Sequence, residues 1–435
     1  MPKVIMNVPD FALDFQCERA KCKDKCCNRF DIIYFSKESY NTLITCNNTE
    51  LQTIAKKNLK INEASNTKYD YAFLKPEGKC KFLDENGNCL IKDLLGEKYL
   101  GFPCASYPKA YVNMCGELDA CALSSCPQML KKMLDQESGI KFTKIQRNLS
   151  KDNPGQKYTD IYNKYASFIP ELKHMAIDLL QNRNFTIEKR LLLLTTFYNH
   201  LDQLFDVKDP KCAEFIKLYS SKLSDVEYAS IFKNFKSSFK EQLVLGYLLF
   251  ETMLRSNYND EVDHLLDFIA ELADGVDVKD MQDITQKYKA AYENYYIPFE
   301  EKYGYMIENI LVNECFSNGI PFLYFNKMSD SALFLTVYFS MIRYLICMNS
   351  IKKQSKPLPD EVFTLIYAIA KRFEPTEHYY ENGYNGVLTK VKLILVFEII
   401  KNFKLKPISL INGLLGERKE DDESINTIKN EDERK

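Results

Sequence analysis

Several shortages bound what this chain can be. It has no tryptophan and only 4 histidines in 435 residues, and none of the histidines precedes His174. Zinc sites that mix imidazole with thiolate are thereby excluded from the amino-terminal third. None of the 15 glycines sits in a Gly-x-Gly pair, so the glycine-rich strand-to-helix turn of a Rossmann nucleotide fold is missing. Neither charge sign dominates: Lys and Arg total 58 against 60 for Asp and Glu, which leaves no basic field to attract nucleic acid. The apolar run from Ala332 to Ile342 is interrupted by Arg343 well short of the ~20 residues that span a bilayer, so no membrane partner is expected. Met1 to Gln16 lacks the apolar core of a secretory signal, and the expected compartment is the cytoplasm.

What the chain has in excess is cysteine: 14 in all, 11 of them within the first 126 residues. In a reducing compartment thiols stay free and serve metal binding, catalysis or burial. Cys212, Cys315 and Cys347 stand alone in apolar helical surroundings, where cysteine behaves as a small buried hydrophobe. The ligand candidates are Cys17, Cys22, Cys26, Cys27, Cys80, Cys89, Cys104 and Cys126, with Cys46, Cys115 and Cys121 weaker. Their spacings are irregular, unlike the paired knuckles of a zinc ribbon. All-thiolate coordination, and Pro127 directly after Cys126, favour an iron–sulfur cluster of the [4Fe-4S] type, with zinc the alternative metal. Eight thiols overfill one four-ligand centre, and the spacings do not select the four. The run CKDKCC contains a CxxxC, but Cys27 follows Cys26 directly where a radical-SAM site needs its third cysteine further on, so that reading is disfavoured.

The texture of the chain changes along its length. Residues 1–130 mix short apolar pieces with Gly, Pro, Asn and Cys, including a tight-turn signal at Asn86-Gly87 between Cys80 and Cys89. This part reads as a loop-dominated, cysteine-rich module. Residues 131–416 read as a larger α-helical domain, with helical periodicity in 190–205, 241–256, 264–273 and 332–348. Breakers fall between these segments, among them Asp209-Pro210, Pro298, Gly319 to Pro321 and Pro375. Residues 417–435 are almost wholly polar or charged and are expected to be disordered. The fold class is therefore mainly α: a cysteine-rich metal module packed on a helical domain.

The ordered series CxxxxCxxxCC, then CKFLDENGNCLIKDLLGEKYLGFPC with Tyr107-Pro108 behind it, then CALSSCP, resembles the flagellin lysine-N-methylase family. The amino-terminal part of that family is similar to CxxCxxCC zinc/iron-chelating domains. The resemblance continues through MIENILVNECFSNGIPF (306–322) and RFEPTEHYY (372–380), so it covers roughly residues 11–400. Two departures stand out. Family members often carry Gly-Trp after the double cysteine where this chain has Asn28-Arg29-Phe30, and Tyr-Pro-Arg where it has Tyr107-Pro108-Lys109. Lysine keeps the charge there but loses bidentate hydrogen bonding.

The resemblance implies methyl transfer from S-adenosylmethionine to lysine ε-amines of flagellin, on a fold other than the Rossmann one. It also turns attention to Glu308, Asn309, Asn313, Arg372 and His378 as cofactor-binding candidates. Tyr305, Asn309 and Asn313 recur every fourth residue and form a polar stripe on one helical face. By amphipathicity alone that stripe would be solvated. Of a different class is the alternative that the cysteine module is non-catalytic and the helical part binds a partner.

Overall fold

The computed structural model describes residues 3–373 apart from 23, 29, 31, 64–70, 76–78, 115–116, 149–167, 206–210, 223–237, 256–280, 318 and 320–326. Two compact units emerge. Unit 1 comprises Met1–Pro170, Val312–Leu323 and Ile366–Leu393; unit 2 comprises Glu171–Leu311, Tyr324–Leu365 and Ile394–Lys435. Helix predominates across the described residues, as expected. Residues 264–273, His378 and the tail from Glu417 lie outside the described residues.

Unit 1 is not the array of loops that its composition suggests. Among the described residues, seven strands run through it: β1 (Lys3–Pro9), β2 (Ile33–Phe35), β3 (Lys60–Ile61), β4 (Ala72–Leu74), β5 (Lys109–Met114), β6 (Glu117–Ala122) and β7 (Phe142–Asn148). They form a four-stranded sheet in the order β5-β6-β1-β7 and a three-stranded sheet in the order β2-β4-β3. Strand β1 is parallel to β6 and antiparallel to β7. Across the parallel pair, Asn7 donates from Nδ2 to Asp119 Oδ1 at 2.7 Å, a buried polar contact in register. These strands left little trace in the sequence for a physical reason. β6 is buried at five of its six positions, so the apolar–polar alternation that betrays a half-buried strand is absent. β2, β3 and β4 are too short to show any period.

The small sheet carries a separate core. Phe35, Leu43, Leu51, Ala55, Leu74, Phe82 and Ile91 pack beneath it, joined by Cys80. Two capped helices cover it. Ser36 accepts from the Ser39 N–H at 3.1 Å to start Lys37–Thr45, and Asn48 accepts from the Leu51 N–H at 2.8 Å to start Thr49–Asn58.

Unit 2 is built from helices, among them Ile187–Phe205, Phe239–Arg255, Met281–Ala291 and Met328–Lys353. The periodic segments 190–205, 241–256 and 332–348 fall within or against these elements, as expected. The last of them is long and apolar enough to cross a membrane, with a mean hydropathy of 1.6 over its most apolar stretch, yet that stretch is entirely buried. It continues straight through Arg343, which sits 3.5 Å from Glu188 and lies over the rings of Phe339 and Tyr292. Its first turn is capped from another helix. Asp202 accepts from the Met328 and Ser329 N–H groups at 2.9 and 3.0 Å and from the Ser329 hydroxyl at 2.6 Å.

Candidate metal centre

All eight candidate cysteines line one cavity of about 150 Å³ within unit 1. At a liquid volume of about 30 Å³ per water, that space holds several waters or a small inorganic cluster. Cys46 and Cys121, the weaker candidates, do not line it, and Cys115 lies outside the described residues. Cys212, Cys315 and Cys347 are buried elsewhere, as their apolar surroundings suggested.

Local structure delivers the thiols from five segments of the chain. Cys17 and Cys22 flank the short turn Arg19–Lys21, and Cys26 and Cys27 open the turn Cys26–Asn28. Cys80 and Cys89 flank the turn at Gly87, whose φ of +82° is the left-handed geometry that the Asn86-Gly87 signal anticipated. The Asp84 N–H donates to Asn88 O at 2.9 Å and the Gly87 N–H to Asp84 O at 3.1 Å, closing that turn. Cys104 follows the Tyr34–Phe102 bridge beside β2. Cys126 is the residue before helix Pro127–Leu134, with proline in the first turn, where it costs no hydrogen bond.

Burial dominates the electrostatics of the cavity. Burial pushes the Cys80 and Cys126 thiols up to about 12 and also raises Cys89 and Cys104, so without a positive partner these groups stay protonated. Backbone N–H groups at the helix starts oppose that rise: those of Met129 and Gln128 favour the thiolate of Cys126, and those of Lys92 and Ile91 the thiolate of Cys89. Cys27 is the exception. A hydrogen bond from Cys26, helped by Lys25 and Lys92, lowers it to about 7, while the same contact raises Cys26. Arg19, Lys25 and Lys92 line the same cavity. No three His, Cys, Asp or Glu side chains among the described residues stand at metal-binding spacing.

Other residues at the cavity have contacts that the sequence did not announce. Phe30 is buried with its ring edge-on to Tyr107 at 5.6 Å. Tyr107 reaches Ser125 Oγ at 3.3 Å, and burial, with Cys126 and Cys26 beside it, raises its phenol well above the usual range. Asp24 pairs with Lys371 at 3.1 Å and accepts a hydrogen bond from Tyr367. These contacts bring residues about 340 positions apart in sequence together, and no local pattern announces them.

The cofactor candidates have different surroundings. Both Glu308 oxygens are occupied: Arg183 donates from Nε and Nη2 at 2.8–3.2 Å and Arg190 donates from Nη1 at 2.7 Å. Asn313 donates to Ala122 O at 3.0 Å and to Ser124 Oγ at 3.2 Å. Asn309 and Asn313 are 0% and 1% exposed, which overturns the solvated-stripe reading. Arg372 lies in the last turn of helix Pro359–Phe373.

Comparison with known proteins agrees with the resemblance. Residues 173–392, half of the chain, match the FliB lysine N-methylase C-terminal domain. The chain belongs to this family, and the protein is a lysine N-methyltransferase. It is 19% identical to the lysine-N-methylases of Salmonella choleraesuis and Salmonella typhimurium over 399 residues, covering 89% of this chain and 96% of each relative. It is 26% identical to the flagellar biosynthetic protein FliU of Salmonella muenchen over 141 residues, covering 32% of this chain and 83% of that protein. No solved structure matches the chain.

Proposed function

We propose that the protein transfers methyl groups from S-adenosylmethionine to lysine ε-amines of flagellin in the cytoplasm, and that the cysteine cavity holds a [4Fe-4S] cluster. The family match supports lysine methylation, and the flagellar name of one relative, FliU, supports the substrate. The observation that carries the cluster is the meeting of eight thiols from residues 17 to 126 in one cavity. Cys17, Cys22, Cys26, Cys27, Cys80, Cys89, Cys104 and Cys126 supply thiolates, and the soft, histidine-free donor set suits iron–sulfur chemistry. Zinc is the competing metal.

In the transfer, the lysine nitrogen attacks the methyl carbon in line with the carbon–sulfur bond. A carbon–nitrogen bond forms, the carbon–sulfur bond breaks with its electron pair left on sulfur, and the sulfonium becomes a neutral thioether. An unperturbed lysine has a pKa of about 10.4, so its ammonium must lose a proton before attack, and desolvation in a closed site promotes that loss.

Two measurements test the reading on the full-length protein. Anaerobically purified protein is analysed for iron, sulfide and zinc, and its binding of S-adenosylmethionine is followed by calorimetry. Flagellin is then incubated with protein and methyl-labelled donor, and label on lysine is located by peptide mass spectrometry. Label on flagellin lysines together with iron and sulfide supports the proposal. Zinc alone, with no donor binding and no label, rejects it in favour of a non-catalytic metal module.

A further inference from the structure

Two residues far outside the cysteine segment hold the walls of its cavity. Asp24 and Cys126, which both line the cavity, stand on separate loops, and each loop is fastened from the stretch 173–392 that matches the methylase domain. We propose that Asn313 and Lys371 are positioning residues of the metal centre, a role that rests on the reading that this cavity binds metal. The carboxy-terminal stretch then completes the centre that the amino-terminal cysteines begin.

The first fastening acts on the loop between Cys22 and Cys26. Asp24 lies two residues from each cysteine; its carboxylate pairs with Lys371 at 3.1 Å and accepts a hydrogen bond from Tyr367. The Lys371 side chain is only 10% exposed and its Nζ lies 5.6 Å from the centre of the Tyr367 ring. Ammonium, ring and carboxylate therefore form one cluster in the last turns of helix Pro359–Phe373. The Cys22 thiol donates to Asp24 O at 3.3 Å, so the hold on Asp24 reaches a thiol directly.

The second fastening acts on the loop that ends at Cys126. From helix Ile297–Ser317, Asn313 donates from Nδ2 to Ala122 O at 3.0 Å and to Ser124 Oγ at 3.2 Å. Asn313 is 1% exposed and Ser124 is 0% exposed, so water cannot readily replace a lost partner. Within the same loop the Leu123 N–H donates to Pro108 O at 2.9 Å, the Cys126 N–H donates to Leu123 O at 3.3 Å, and the hydroxyls of Ser125 and Tyr107 share a hydrogen bond of 3.3 Å. Asn313 thus anchors the backbone that presents Cys126, Tyr107 and Pro108 to the cavity.

Both fastenings lie within unit 1, which takes in Val312–Leu323 and Ile366–Leu393 alongside the cysteine segment. Neither residue reaches the cavity as a ligand; each fixes a loop that carries thiols. Groups of this kind hold a cage in shape against the entropy of its loops, and losing one typically costs about 10–100-fold in metal affinity.

The test is retention of metal by full-length, anaerobically purified protein. Iron, sulfide and zinc are counted per chain, and their loss to excess EDTA is followed by absorption and metal analysis. Asn313→Ala, Lys371→Ala and Lys371→Arg are compared with the parent, and circular dichroism monitors folding. Gly246→Ala, which crowds Tyr344 in unit 2 and lines no part of the cavity, controls for general destabilisation. Asn313→Ala and Lys371→Ala are expected to lose metal about 10–100-fold faster than the parent. Lys371→Arg keeps the pair with Asp24 and is expected to stay close to the parent's rate, as is Gly246→Ala. A parent that holds metal, with Asn313→Ala and Lys371→Ala releasing it no faster, overturns the positioning role and leaves metal binding at the cavity standing. Release from Gly246→Ala as fast as from those variants overturns it too, since general instability would then be the cause. A parent with no metal overturns both. Where Asn313→Ala fails to fold, the contrast between alanine and arginine at Lys371 decides.

Discussion

Arg190 donates to Glu308 at 2.7 Å, and both side chains are buried, at 7% and 2% exposure. Arg183 completes the fork around the same carboxylate but is 47% exposed. Burial lowers Arg190 from its ordinary value while Glu308 holds it charged; the exposed Arg183, hydrogen bonded to Glu308, is raised. Removing one partner of a buried pair costs about 3–5 kcal/mol, because the other charge is left uncompensated. Glu308→Ala is therefore expected to lower unfolding stability by about that amount, and Arg183→Ala by less than about 1 kcal/mol. Urea denaturation of the three proteins checks this. Equal losses in both variants would remove the buried-pair account.

Gly246 lies inside helix Phe239–Arg255, where alanine ordinarily stabilises a helix by about 1 kcal/mol. Here a Cβ would lie 2.5 to 2.9 Å from Tyr344 ring and Cβ atoms. Tyr344 is itself buried, near Tyr288 and Phe250, and has little room to move. Overpacking of this kind costs about 1–3 kcal/mol, so Gly246→Ala is expected to destabilise. A rise in thermal midpoint would contradict it.

Gly87 closes the turn between Cys80 and Cys89 at a φ of +82°. The nearest atom to an added Cβ is Lys25 Nζ at 2.6 Å, the free end of a flexible side chain, so backbone strain rather than collision sets the cost. Gly87→Ala is expected to lose about 1–2 kcal/mol, and Gly87→Asn less, since asparagine tolerates the left-handed region. Denaturant midpoints of the two variants give the order directly.

Glu361 begins helix Pro359–Phe373 by accepting from the Leu358 N–H at 3.2 Å and from Lys353. Partial burial pushes its carboxyl up, but Lys353, the Leu358 N–H and Asn349 together outweigh that and hold it below the usual range. The folded pKa lies below the unfolded one. The stabilisation is therefore complete above the unfolded value of about 4.3 and is lost as pH falls through the folded value. Glu361→Gln is expected to flatten the acid limb of the stability curve by lowering stability near neutrality, and to change little at low pH where the carboxyl is protonated. A variant whose acid limb matches the parent's would show that Glu361 does not drive it.

Much of unit 2 was legible because helical signals are local: the runs at 190–205 and 241–256 carry apolar residues at helical spacing, and 332–348 is apolar almost throughout. The strands of unit 1 were not, because pairing partners such as Asn7 and Asp119 lie 112 residues apart and β6 shows no alternation. The same distinction governs the candidate site. Irregular cysteine spacings name the thiols, yet their meeting in one cavity depends on contacts such as Glu18 with Gln128, separated by 110 residues.

From sequence alone came the density of thiols without histidine, the absence of a glycine-rich nucleotide loop, the helical character of the larger part and the family resemblance. All of these are properties of composition or of residues close in the chain. The tertiary structure decided that the eight thiols share a cavity and that Asn309 and Asn313 are buried. It also gave Glu308 two arginines, 125 and 118 residues away, as partners. Burial and charge pairing are settled by which distant segments meet, and no local pattern encodes that meeting.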